Sequence, residues 1–259
     1  FLGVCAGGNG TLTGRHNVVG GTNAGKSLTS GKYNVLFGLS AGSSLTCGCQ
    51  NVYIGTNTGS NAAGGCGNIG IGNYVGRCMG SSAASHGRNV MLGDCAFRVA
   101  RCGQGNVVLG HAAGQYVDHG CYNIYFGQYA GKGNSTVSLN TPSSNIAIGF
   151  CAGCDITSGM CNTFLGTRSG IGITSGCCNV AIGYGVTLPS ATGNNQLAIG
   201  SGTTTWVSGD GSYNVTISGI ATITKATGVV EATKFCGDGS CLTGISAGFL
   251  EDDDGNLIA

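Results

Sequence analysis

The chain has 259 residues with 52 Gly, 2 Pro, 15 Cys and a net charge of +1. Only 8% of it is charged, against about 25% in an ordinary soluble domain, where Gly is about 7%. Such Gly content disfavours helices, two Pro without a G-X-Y period exclude collagen, and 41% apolar residues separate the chain from Gly-rich disorder. The near-neutral charge and the lack of Lys/Arg runs argue against nucleic acid as a partner, and no apolar window of about 18 residues calls for membrane insertion.

The first motif along the chain is GGTNAGKS, Gly20 to Ser27, which fits the nucleotide-binding pattern G-x-x-x-x-G-K-[ST]. That pattern needs a strand before it and a helix after it. Here it coincides with a repeat. Asn stands at 17, 34, 51, 68, 89, 106, 123, 145, 162 and 179, with Gln196 continuing the series, and a Gly follows each after four residues. The steps are 17 residues except for one of 21 and one of 22. The consensus is N-V-x-I-G-x-x-A-G-x-x-I-T-S-G-x-x, so GTNAGKS is in phase with GLSAGSS, GTNTGSN and GHAAGQY, and Lys26 reads as an exposed turn residue.

Within each unit the apolar positions recur: Val35, Phe37, Ala41 and Leu45, then Val52, Ile54, Thr58 and Ala62. Alternation such as Val-x-Ile predicts a short strand with its Val and Ile face inward, and Gly permits sharp corners. Each unit is then one coil of an all-β solenoid, a β-roll, spanning residues 1–201 with a pitch of about 4.8 Å. The recurrent Asn has two structural readings, a ladder of stacked amides or a residue suited to the corner. The two long steps place insertions at GRCMGSSAASHGR and GKGNSTVSLNTPSS. Asn9, Asn134 and Asn214 open N-x-[ST] glycosylation sequons.

Fifteen Cys is an odd number, so one at least is left over for a free thiol or another chain. Cys49 and Cys66, and Cys161 and Cys178, are 17 apart, and adjacent coils bring such pairs within disulfide range. Cys102, His119 and Cys121 are a weaker zinc suggestion, with three ligands only. CAGC, Cys151 to Cys154, reads as an ordinary A-G corner rather than a redox motif. No cofactor is expected, and the Cys content suits an oxidising, extracellular setting.

After residue 201 the period stops. Residues 202–245 carry two GDGS turns and alternating β-branched residues, as expected of a small β-rich connector, and NLIA near the end of 246–259 starts a further repeat. Both termini fall within a coil, so the natural chain is expected to continue in both directions.

The units NVLFGLSAGSSLTCG, NVYIGTNTG and NTFLGTRSGIGITSG, followed by ATKFCGDGSCLTGIS, resemble the N-x-x-I-G-x-x-A-G-x-x-I-T-T-G repeats and F-x-G-D-G-S-x-L-T-G-I connectors of tail-fibre and fibre-like proteins of phages and large viruses of aquatic hosts. More distantly the chain resembles the head repeats of trimeric autotransporter adhesins, which form left-handed β-rolls as homotrimers. The resemblance implies an elongated, trimeric fibre outside the cell or on a virion, self-associating and serving attachment to a host receptor or glycan. A self-cleaving chaperone segment at the carboxy terminus is missing from the match, and the Cys content is higher than the pattern requires. Two other readings are a carbohydrate-binding or carbohydrate-degrading tailspike and an ice-binding solenoid. A degrading enzyme needs paired carboxylates, whereas Asp94, Asp118 and Asp155 fall in different phases, and no catalytic residue is assigned. An ice-binding face needs an unbroken Thr array, and Ala63 interrupts the phase of Thr29, Thr46, Thr157 and Thr174.

Overall fold

The computed structural model describes residues 2–8, 13–79, 87–136, 140–218, 221–224 and 229–231. Every element among them is a strand, and fifteen strands form one sheet in chain order. The first eleven are β1 (Val18–Gly20), β2 (Val35–Phe37), β3 (Val52–Ile54), β4 (Ile69–Ile71), β5 (Val90–Leu92), β6 (Val107–Leu109), β7 (Ile124–Phe126), β8 (Ile146–Ile148), β9 (Thr163–Leu165), β10 (Val180–Tyr184) and β11 (Leu197–Ser201). They pair in parallel, each residue against its counterpart one coil on, as in Val107 with Ile124, Val108 with Tyr125 and Leu109 with Phe126. A second line of parallel bridges joins Lys32, Cys49, Cys66, Gly87 and Gln104. The fold is a β-solenoid, and eleven strands at about 4.8 Å make a rod about 50 Å long.

The amide ladder explains why Asn opens each coil. The Oδ1 of Asn106 accepts from the backbone N–H of Asn123 at 2.9 Å and from its Nδ2 at 3.0 Å, while the Asn106 Nδ2 also donates to the Gly120 carbonyl at 2.8 Å. The same pattern recurs from Asn17 upward and ends on Gln196, whose N–H and Nε2 reach the Asn179 Oδ1. These side chains are buried from Asn34 onward. A buried amide is tolerated only when its donors and acceptors are met, and here each coil meets its neighbour's needs. The ladder also crosses both long steps, from Asn68 to Asn89 and from Asn123 to Asn145, so the insertions leave the stack in register.

The Gly four residues after each Asn has a different cause. Gly110 has φ of 133°, and a Cβ there would lie 2.6 Å from the carbonyl of Gly127 on the next coil. A side chain at this position collides with backbone, which cannot move without breaking the sheet.

The orientation of the strands differs from the expectation. The middle residue of each strand points inward: Leu36, Tyr53, Met91, Val108, Tyr125, Ala147, Phe164, Ala181 and Ala198 are all buried. The flanking Val and Ile or Phe face outward. The core is completed by Ala41, Leu45, Val75, Val117, Ile156 and Ile173 from the rest of the coil. Its volume is balanced between coils: Gly70 takes the inward place beside Tyr53, and a Cβ on it would meet the Tyr53 ring at 3.2 Å. Aromatic and small residues thus alternate along a narrow core, as close packing requires.

At Gly202 the chain turns back. Strand β12 (Thr204–Gly209) pairs antiparallel with β11, and β13 (Val215–Ile217), β14 (Ala221–Thr224) and β15 (Val229–Glu231) continue as an antiparallel meander. The first GDGS turn joins β12 to β13. The Asp210 carboxylate accepts from the N–H groups of Ser212 and Asn214 and from the Asn214 amide, and these hydrogen bonds hold its pKa below the ordinary carboxylate value. The second GDGS turn and residues 246–259 lie outside the described residues.

Candidate functional site

Gly20 to Ser27 runs from the end of β1 into a turn, with no helix behind it, and Lys26 is exposed. The geometry that lets a P-loop hold phosphate is therefore missing at this motif.

An extended surface feature is the outward face of β2 to β8. Two rows run along the rod, one of Val35, Val52, Ile69, Val90, Val107, Ile124 and Ile146, the other of Phe37, Ile54, Ile71, Leu92, Leu109, Phe126 and Ile148. Phe37 is 40% exposed, Ile71 40% and Phe126 54%. The rows lie about 7 Å apart and extend for about 30 Å. A contiguous apolar strip of that length is unusual on a monomer.

The cysteines fall into two groups. Cys151 and Cys154 form a disulfide with a Cα separation of 4.9 Å, at the A-G corner that the sequence reading treated as ordinary. Both residues lie in one turn, so they are brought together by local geometry rather than by stacking. Cys49, Cys66, Cys161 and Cys178 are free thiols. Cys49 and Cys66 nonetheless sit in register across two coils, where the Cys49 N–H meets the Cys66 Sγ at 3.3 Å. Burial and the neighbouring thiols raise the Cys66 pKa, and burial with Cys161 and Cys177 nearby raises that of Cys178, which keeps both groups as thiols rather than thiolates at neutral pH.

The other sites distribute as follows. Among the described residues no three His, Cys, Asp or Glu side chains converge on a metal position, so Cys102, His119 and Cys121 do not make a zinc centre. Asp94 accepts from the Asn73 N–H at 3.0 Å and Asp155 from the Gly172 N–H at 2.9 Å. Asp118 binds Arg101, whose Nε lies 2.7 Å from its Oδ1. The hydroxyls of Thr29, Thr46, Thr157 and Thr174 each donate to a carbonyl on the next coil. Asn134 is exposed at a turn, its Oδ1 accepting from Thr136, whereas the Asn214 amide is engaged by Asp210. Asn9 lies outside the described residues.

A further feature was not legible beforehand. At the corner nine residues after Asn, cations and tyrosines gather. The guanidinium groups of Arg77 and Arg98 lie 5.5 and 5.9 Å from the centre of the Tyr74 ring, and Lys132 lies 5.5 Å from that of Tyr116 and 5.1 Å from that of Tyr129. Beside Lys132 opens a cleft of about 360 Å³ bordered by Tyr116, Tyr129, Asn134 and Asp155. Tyr74 and Tyr129 share a phase of the repeat, six residues after Asn68 and Asn123, while Tyr116 stands ten after Asn106, so the three-dimensional corner is what brings Tyr116 to Lys132.

Comparison with family models, with curated proteins and with solved structures finds no match. No helix among the described residues is long and apolar enough to cross a membrane.

Proposed function

We propose that this chain is a structural subunit of an extracellular or virion-surface fibre, in which copies associate side by side through the outward apolar face and serve attachment. The observation that carries the reading is the double row of outward-facing Val, Ile, Leu and Phe along β2 to β8, exposed at Phe37, Ile54, Ile69, Ile71, Val107, Ile124, Phe126 and Ile148 and half-buried at the other positions. The core is already filled by the middle residues of the strands, so these rows are not needed to close the solenoid. Burial of each is favoured by about 25 cal/mol per Å², and one such face per chain suits a closed homotrimer about a common axis. The resemblance to fibre repeats points the same way. The engagement of the Asp carboxylates and Thr hydroxyls within the coils supports a structural role over the degrading or ice-binding alternatives.

Sedimentation equilibrium tests the proposal on the full chain and on an Ile71→Glu, Phe126→Glu variant, with circular dichroism as the control for folding. A wild-type mass three times that of one chain, falling to a single folded chain in the variant, is the expected result. A wild-type monomer at tens of micromolar would sink it.

A further inference from the structure

We propose that the corner bearing Arg77, Arg98 and Lys132 binds an acidic polysaccharide, one carrying uronate or sulfate groups, laid along the rod. The three cations stand nine residues after Asn68, Asn89 and Asn123, so stacking aligns them on one edge at intervals of about 5 and about 10 Å. One coil is close to the length of one pyranose in an extended chain, and the cations therefore recur at whole numbers of sugars.

Three observations select this ligand class. First, among the described residues none of the three cations has a carboxylate partner, in contrast to Arg101, which is bound by Asp118. Second, each is held against tyrosine: the Arg77 and Arg98 guanidinium groups lie 5.5 and 5.9 Å from the Tyr74 ring, and the Lys132 ammonium lies 5.5 and 5.1 Å from the rings of Tyr116 and Tyr129. Cation–π contact fixes the charged groups, and the partly exposed tyrosines bring aromatic surface and a hydroxyl to the same edge. Third, the edge also offers acceptors for sugar hydroxyls, since Asp155 borders the cleft beside Lys132 and Asp94 lies near Tyr74 through the Asn73 N–H. The inference deepens the attachment part of the proposed function and does not require self-association.

The experiment is isothermal titration of the full chain with alginate, dextran sulfate, neutral dextran and polyglutamate, at low and physiological salt. The comparison variants are Arg77→Gln, Arg98→Gln, Lys132→Gln combined, and Arg15→Gln, Lys32→Gln, Arg88→Gln combined as a control with equal charge removed from another corner. Binding of alginate or dextran sulfate that weakens on the order of tenfold or more in the first variant, stays within about twofold in the control, and is weaker for polyglutamate and neutral dextran is the expected result. Equal loss in both variants, equal binding of polyglutamate, or no binding of either acidic polysaccharide would each overturn it. Sedimentation of the same samples separates the two proposals: binding that persists in dissociated chains leaves this one standing while the fibre reading falls, and intact trimers without binding do the reverse.

Discussion

At the scale of single residues the Asn ladder carries the largest identifiable polar contribution. Replacing Asn106 by Ala removes the acceptor of two Asn123 donors and the donor to the Gly120 carbonyl at a fully buried position. Buried groups left unpaired cost about 1 to 3 kcal/mol each, so Asn106→Ala should destabilise by about 3 kcal/mol in chemical unfolding, and Asn61→Ala, on an exposed corner, by less than about 0.5 kcal/mol. Equal effects would mean that the ladder is incidental. Asp118 provides a second residue-scale prediction. Burial pushes its carboxyl pKa up, but the Arg101 hydrogen bond and the charges of His119 and Arg101 outweigh this and the value lies below the ordinary one. A carboxyl with a depressed folded pKa adds stability above the unfolded value of about 3.9, and that stability is lost as pH falls through the folded value. The melting temperature of the wild type should accordingly fall more steeply below about pH 5 than that of Asp118→Asn. Parallel profiles would remove the ion pair from the account of acid stability.

At the scale of the coil, the unit of folding is the 17-residue turn and its nearest neighbours. Deleting Asn34–Gln50 joins Tyr33 to Asn51 in unchanged phase and places Val19 of β1 beneath Tyr53 of β3, where Leu36 was. The shortened chain should keep its strand content by circular dichroism, with a melting temperature lower by a few degrees. A single Gly inserted between Val108 and Leu109 changes far fewer residues but alters the alternation of the strand and displaces Gly110 from its close approach to Gly127; it should unfold the neighbouring coils, seen as lost amide protection. The same contrast explains what was legible in the sequence. Asn and Gly recur because every coil poses them the same hydrogen-bonding and steric problem, so period and architecture could be read from them. Inward residues recur only as a group, since Gly70 offsets Tyr53 and Ala147 separates Tyr125 from Phe164 on successive coils, and their variety concealed the core. Regular Val and Ile drew attention to the wrong face, because alternation does not say which side is buried. Phase spacing brought Cys49 beside Cys66, yet the bond in the structure joins Cys151 and Cys154 within one turn, which a 17-residue period does not register.

At the scale of the whole molecule the rod has an edge problem at its carboxy-terminal end. A parallel stack always exposes a last strand whose N–H and C=O groups invite another chain. Here β12 occupies that position by pairing antiparallel with β11 over Leu197 to Ser201, which ends the parallel register with a strand of opposite direction. A chain cut after Ser201 would present β11 unpaired, with the same 17-residue register that the amino-terminal coil of a second molecule can continue. Such a contact is head-to-tail and does not close, so it propagates into a filament instead of a defined oligomer. The truncated chain should therefore show light scattering that grows with concentration and rods much longer than about 50 Å in electron micrographs, while the full chain keeps a fixed length under the same conditions. If both forms show the same length distribution, β12 is not the element that stops the stack, and growth along the axis must be limited by the lateral apolar face.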